Sequence, residues 1–531
     1  MLTDEIGQAF EITKENETRI KGKACIETNI GIVKEISSFI STSFGPTGMD
    51  KILQSKDDDI TITNDGATIL REMDMSENPI SQLIVQLSKA QDNEVGDGTT
   101  GVVILTSALL QQAKELIGRG LHPIRIIEGF DKALQLSLGH LESISENIVN
   151  REEAMLNAAK TSLNSKIVSK ALEKFSRICV EAVMSVADLE RKDVDFEMIK
   201  IVQSTGKDVS EIEFVKGLVI KKEFSHPQMV KEVQGARIAL LACPFEPPKL
   251  KNKHSLTIGN VEQYKNLQKY EKDTFLEMIK SLKEVKTTLV LCQWGFDDEA
   301  NSLLMENNLP AVRWVGGNDL GLIAKHTGGN IISRFEDLKE EDLGVADVKE
   351  ISLGTETEKY LIITKQEKDK SNSTVSILVR GANDIVIEEA KRSIQDALAA
   401  VRNVLINDRI VYGGGSSELS TSLFLEEKSK EIMEGGLGEC VLGFSRALED
   451  VPITLARNSG LDPLEHLTKL RKAHVETGNN NLGVDCLGNN QADMKILNIF
   501  DTLSTKSKQL QMATQLACSI LKISDVIVSN Q

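Results

Sequence analysis

The spacing of apolar residues changes twice along this chain, and that change limits its possible folds more than any other feature. In the segment 1–150, apolar side chains recur every three or four positions. Ile26, Ile30, Val33, Ile36 and Ile40 form one stripe. Ile80, Leu83, Ile84 and Leu87 form a second, opened by Asn78 as a cap and Pro79 at the first helical position. Val102, Leu105, Leu109, Ala113 and Leu116 form a third, and Ile127, Phe130, Leu134, Leu138, Leu141 and Ile144 a fourth after Leu121-His122-Pro123. This period predicts amphipathic helices with these faces in a core. Residues 60–63 alternate instead and run into Asn64-Asp65-Gly66, which predicts a short strand entering a tight turn.

Helices are expected again over 151–195. From about residue 197 the period shortens. Phe214–Ile220, Ala236–Cys243, Thr288–Cys292, Ala311–Val315, Lys359–Ile363 and Thr374–Val379 are apolar runs of strand length with helical stretches between some of them. After residue 384 the pattern becomes helical again and stays mostly so to the end. A helix-rich beginning and end around a mixed centre suggests one discontinuous domain with the centre inserted into it. The 531 residues leave room for three or four domains.

Composition excludes several functions. A net charge of −17 and 4% aromatic residues oppose binding to a phosphate backbone or to stacked single strands, so no nucleic-acid partner is expected. No stretch approaches the roughly 20 apolar residues that span a bilayer, and the acidic start MLTDEIGQAF lacks the apolar core of a signal peptide. The seven cysteines form no C-x-x-C pair and read as reduced, buried thiols of a cytosolic protein. The seven histidines show no zinc-binding spacing. The segment 247–287 stands apart, with nine lysines against five acidic residues. It reads either as a solvated helix face or as a projecting arm that touches partners.

Four glycine clusters could carry chemistry: Gly45-Pro46-Thr47-Gly48, Asn64-Asp65-Gly66, Gly96-Asp97-Gly98-Thr99-Thr100 and Gly413-Gly414-Gly415. The third matches G-x-G-x-x-G with Gly101, but helix-like sequence precedes it where a dinucleotide site needs a strand. A long helix starts near Thr99, and its free N–H groups suit an anion. Asp97 beside a phosphate is repulsive unless a metal lies between them, and Mg²⁺ takes carboxylates together with phosphate oxygens and waters. A plain Asp-Gly turn with a helix cap explains the same residues. No G-K-[ST] occurs, so there is no P-loop. Taken together, aspartates on tight turns beside glycine loops fit metal-assisted phosphoryl transfer.

At these residues the chain resembles the group II chaperonins over essentially its whole length. Ser43–Lys51 (SFGPTGMDK), Thr63–Leu70 (TNDGATIL), Gln91–Thr100 (QDNEVGDGTT), Lys160–Leu163 (KTSL), Gln395–Leu398 (QDAL) and Gly413–Gly415 are similar to that family's blocks. Ala242–Lys249 (ACPFEPPK), Cys292–Asn301 (CQWGFDDEAN), Asn308–Gly317 (NLPAVRWVGG) and Tyr412 are similar to one subunit type of its eukaryotic cytosolic branch.

The resemblance implies a multidomain α and α/β chaperonin fold. A helical equatorial ATP-binding domain would take 1–145 and 402–531. A small intermediate domain would take 146–210 and 369–401. An α/β apical domain would take 211–368, with a helical protrusion near 247–287 that forms part of a lid. It implies an ATP-driven, Mg²⁺-dependent subunit of a cytoplasmic hetero-oligomeric double ring of paralogous subunits that folds proteins of the actin and tubulin class.

Carried over by position, Asp97 would hold Mg²⁺, and Asp65 and Asp396 would position and activate water. Ser43, Phe44, Gly45 and Pro46 would follow the phosphates with Gly98, Thr99 and Thr100. Lys160 would sense the γ-phosphate, Gly414 and Gly415 would lie against the sugar, and Asp485 and Asp501 would lie near ribose and adenine. The chain departs from the family at Ser41 (usually Arg), Phe44 (usually Leu) and Thr502 (usually Pro), and is glycine-rich over 431–440.

Overall fold

A computed structural model describes residues 17–54, 58, 60–73, 75, 78–247, 258–353, 358–365, 374–432, 435–488 and 491–529. The chain divides into two compact units, one built from Met1–Leu172 with Ser393–Gln531, the other from Glu173–Arg392.

The first unit is a helix bundle in which both ends of the chain take part. Its central helix, Thr99–Gly118, buries nearly every side chain from Thr99 to Leu110, because it is apolar almost all round. Helices Gly22–Ser41, Pro79–Glu94, Pro123–Ile144, Leu437–Leu448 and Leu503–Leu521 supply Ile30, Ile84, Phe130, Phe444, Ala513 and Ile520 to the same core. Phe130 and Phe444 meet edge to face at 5.7 Å. As the sequence predicts, Asn78 caps its helix, accepting from the Ile80 N–H at 2.9 Å with Pro79 behind it. Strand Glu17–Lys21 pairs antiparallel with Asp525–Ser529, and hairpin Lys51–Gln54/Ile60–Thr63 leads into Asp65.

The second unit is α/β. Strands Ala311–Val312, Leu289–Cys292 and Glu232–Leu241 run parallel. The sheet then continues antiparallel through Gly344–Ser352, Lys359–Thr364 and Leu218–Ile220, while Ile331–Ile332 pairs with Glu232–Leu241. A smaller sheet centres on the fully buried strand Val375–Gly381, between Ile199–Thr205 and Glu213–Val215.

Four expectations need correction here. The run Phe214–Ile220 is not one strand. It breaks at Gly217, where a Cβ would come within 2.5 Å of the Ile363 carbonyl, and its halves enter different sheets. Helix does not continue to residue 195 but stops at Val186, followed by the Asp188–Asp193 bridge. The strand expected over Ala311–Val315 ends at Val312, because Trp314 adopts a left-handed φ of 58°. All seven cysteines are free, but Cys243 and Cys486 are half-buried rather than buried.

The lysine-rich segment contains helix Val261–Glu284, capped by Asn260, which accepts from the Gln263 N–H at 2.9 Å. Only Phe275, Ile279 and Leu282 of that helix are buried, so its first turns are solvated. Residues 248–257 of the segment lie outside the described residues. Among the described residues no helix is long and apolar enough to cross a membrane.

Candidate functional site

The first unit encloses a cavity of about 760 Å³ whose floor is the start of helix Thr99–Gly118. Gly98 precedes it at φ 76°, a conformation a Cβ would strain. No side chain caps the helix, so its first N–H groups and positive dipole end face the cavity. Asp97 is held beside them, with its carboxylate accepting from the Gly98 N–H at 2.6 Å and its carbonyl accepting from the Gln91 amide at 2.8 Å.

Asp65 arrives from the hairpin and caps helix Gly66–Glu72, accepting from the N–H groups of Ala67 and Thr68. Thr99 donates its hydroxyl to the same carboxylate at 3.1 Å, which ties the two helix starts together. Opposite, Asp396 on helix Asp384–Ile406 makes an ion pair with Lys166.

Every sequence-predicted site residue lines this one cavity: Ser43, Phe44, Gly45, Pro46, Asp65, Asp97, Gly98, Thr99, Thr100, Lys160, Asp396, Gly414, Gly415, Asp485 and Asp501. Two of the carboxylates are committed elsewhere. Asp485 accepts from the N–H groups of Leu487 and Gly488 in a local turn. Asp501 pairs at 3.2 Å with Lys506, which also pairs with the buried Glu418 at 2.7 Å. Burial opposes the charge on Lys506, but these two carboxylates outweigh it and raise its pKa. Gly415 caps helix Ser416–Glu431 at a point where a Cβ would come within 2.9 Å of Pro452, so the wall has no room for a side chain there.

Sequence reasoning missed Lys166, Asp92 and Lys506, which line the same cavity. Lys166 carries no motif signal. It sits just before the 3-10 turn Ile167–Ala171, and only the fold brings it to Asp396.

Burial and mutual repulsion raise the proton affinity of the crowded acids. Burial pushes Asp396 up to about 8, opposed by Lys166 and reinforced by Asp65 and Asp97. Burial, then Asp501, pushes Asp97 up to about 6, opposed by the Gly98 N–H and the lysines. Asp92 is raised by burial and then by Asp65. Excess carboxylate charge beside an uncapped helix start suits a divalent cation shared with an anion. Among the described residues no group of three or more His, Cys, Asp or Glu could hold a metal alone. Asp97 beside the free N–H groups of the helix start is a donor set that would fit Mg²⁺, which takes one or two carboxylates together with waters and phosphate oxygens.

A helical unit with an uncapped, carboxylate-rimmed anion site, and an α/β unit inserted in its sequence, is the organisation of a chaperonin subunit. The chain belongs to the TCP-1/cpn60 chaperonin family, whose model matches residues 36–531. It is 61% identical over 528 residues to T-complex protein 1 subunit epsilon of Encephalitozoon cuniculi, covering 99% of this chain and 98% of that one. The central segments 242–249, 292–301 and 308–317 resemble that same epsilon type. It is 37% identical over 530 residues to thermosome subunit beta of Aeropyrum pernix and 36% identical over 532 residues to a thermosome subunit of Pyrococcus horikoshii. Each of these alignments covers 99% of this chain and 95% of the relative.

Proposed function

We propose that the chain is the epsilon-type subunit of a cytoplasmic, hetero-oligomeric double-ring chaperonin, and that it hydrolyses ATP with Mg²⁺ to drive the folding of enclosed proteins. The observation that carries this reading is the convergence of Asp65, Asp97, Asp396 and the glycine loops at Gly45, Gly96–Gly98 and Gly413–Gly415 on one cavity at an uncapped helix start.

In this reading the phosphates lie against the N–H groups after Gly98 and the loop Ser43–Pro46. Asp97 would hold Mg²⁺, which would supply positive charge to offset that of the phosphates. Asp396, with its raised proton affinity, accepts the proton of the attacking water, and Asp65 orients that water through the Thr99 hydroxyl network. Gly414 and Gly415 allow the sugar to approach, with Asp485 and Asp501 beyond it. Lys160 and Lys166 both line the cavity and could sense the γ-phosphate. The Lys166–Asp396 pair makes Lys166 the more direct sensor, since an arriving phosphate competes with Asp396 for it.

The three-domain division at 146–210 with 369–401 is part of the same proposal, as is a lid formed by the lysine-rich protrusion. Clients of the actin and tubulin class are proposed on family grounds. In the assembled complex, Asp396→Ala is expected to leave nucleotide binding in place and remove this subunit's turnover, while Asp97→Ala removes Mg²⁺-dependent hydrolysis. Single-turnover phosphate release and a nucleotide-retention assay separate the two effects. Intact turnover in the Asp396 variant would refute its role.

A further inference from the structure

The chain has two tryptophans, and both stand at the surface of the unit Glu173–Arg392, Trp294 48% exposed and Trp314 58% exposed. They follow the adjacent parallel strands Leu289–Cys292 and Ala311–Val312, so they leave the same end of the sheet. The Trp314 N–H donates to the Trp294 carbonyl at 3.3 Å. Trp314 is held at φ 58°, where a bulky residue is strained. Its ring occupies the space a side chain at residue 295 would need, since a Cβ on Gly295 would lie 2.4 Å from it. The Trp294 indole N–H donates to the Ala242 carbonyl at 2.8 Å, which satisfies its one polar atom and leaves the exposed area apolar.

Immediately along the chain, Asp297, Asp298 and Glu299 are all exposed, and among the described residues none of them makes an ion pair. The neighbouring cation, Arg313, is turned toward the Phe296 carbonyl at 3.4 Å. Asp319 on the following helix is already paired with Lys200. Two part-exposed indoles, Trp314 held there at the cost of backbone strain, beside three carboxylates at the start of helix Asp298–Glu306 that make no ion pair among the described residues, form a surface complementary to cations carried on an apolar segment.

We propose that Trp294 and Trp314, with the rim Asp297–Glu299, dock a segment of a partner protein that places Lys or Arg side chains between apolar ones. Indoles are the preferred anchors of protein interfaces and attract cations through their ring faces, while exposed carboxylates steer and select the partner. From the chaperonin reading this takes only that the partner is a polypeptide.

Because the chain has no other tryptophan, emission from the full-length protein reports this surface alone. The probes are a peptide alternating arginine with leucine and a matched peptide with glutamate in place of arginine. The cationic peptide is expected to shift the emission saturably, with affinity falling as salt is added, and the acidic peptide is expected to leave it unchanged. Asp297→Asn, Asp298→Asn and Glu299→Gln together are expected to weaken binding roughly tenfold with an unchanged far-UV spectrum. Equal responses to the two peptides, no response, or an affinity indifferent to the triple change overturns the proposal. Emission that varies with protein concentration alone also overturns it, because the surface would then belong to a second copy. ATP hydrolysis is followed in parallel, so a failure of the nucleotide reading registers separately.

Discussion

Lys166 and Asp396 show how much one pair of side chains decides in this cavity. The side chain of Lys166 is 8% exposed and that of Asp396 23%, so neither charge is well solvated without the other. Lys166→Met is expected to lower stability by about 2 kcal/mol, less than a fully buried pair would cost because Asp396 retains some solvent. Adding Asp396→Asn should recover most of that loss in a urea titration while turnover stays absent. An additive double variant would mean that the two side chains act independently. At Thr502, where the family usually has proline, the hydroxyl accepts from the Thr505 N–H and caps helix Leu503–Leu521. That departure exchanges a rigid helix start for a hydrogen-bonded one and leaves Asp501 in place.

Between elements, two helices of the bundle approach closely at Gly129 and Cys440, where an added Cβ would come 2.3 Å from the cysteine Cβ. Gly129→Ala must push helices Pro123–Ile144 and Leu437–Leu448 apart and is expected to cost about 2 kcal/mol. Cys440→Ala should not relieve it, since the offending atom remains, whereas Cys440→Gly should return part of the loss. Thermal midpoints of the four proteins test this. In the other unit, His326 on helix Gly317–Thr327 is 1% exposed, and burial pushes its pKa down from 6.5 to about 4. The unfolded chain therefore binds the extra proton between those values. The stability this residue contributes is complete above pH 6.5 and is lost as pH falls toward 4, by about 3 kcal/mol in all. His326→Phe is expected to flatten the pH dependence of unfolding in that window. A slope equal to that of the parent would show that the imidazole is already charged in the fold.

At the scale of the whole molecule, the cavity lies entirely within the unit formed by the two chain ends, and both tryptophans lie in the other. Unfolding should therefore leave two-state behaviour, with tryptophan emission following Glu173–Arg392 and far-UV ellipticity following both units. ADP with Mg²⁺ is expected to raise the transition of the first unit and leave the emission midpoint in place. Coincident shifts in both signals would mean that the chain melts as one body.

The helices of the bundle were legible because their apolar stripes keep a single period, and the glycine loops because turns demand those residues. The strand breaks at Gly217 and Trp314 were not legible, because each is imposed by a neighbour distant in sequence. Lys166 was hidden for the same reason. Asp65, by contrast, was visible as a turn residue, but its work as a helix cap appears only once Thr99 is brought beside it.

The pairing of Glu17–Lys21 with Asp525–Ser529 also orders events in time. Synthesis delivers the first strand long before its partner, and helix Leu503–Leu521, which brings Ala513 and Ile520 to the core, emerges just ahead of that partner. The contiguous segment 173–392 can close while the ribosome is still at work, whereas the first unit must wait with its apolar faces open until Leu503–Leu521 has been made. A subunit of a folding machine built this way is, during its own birth, the kind of unfinished chain that needs shelter.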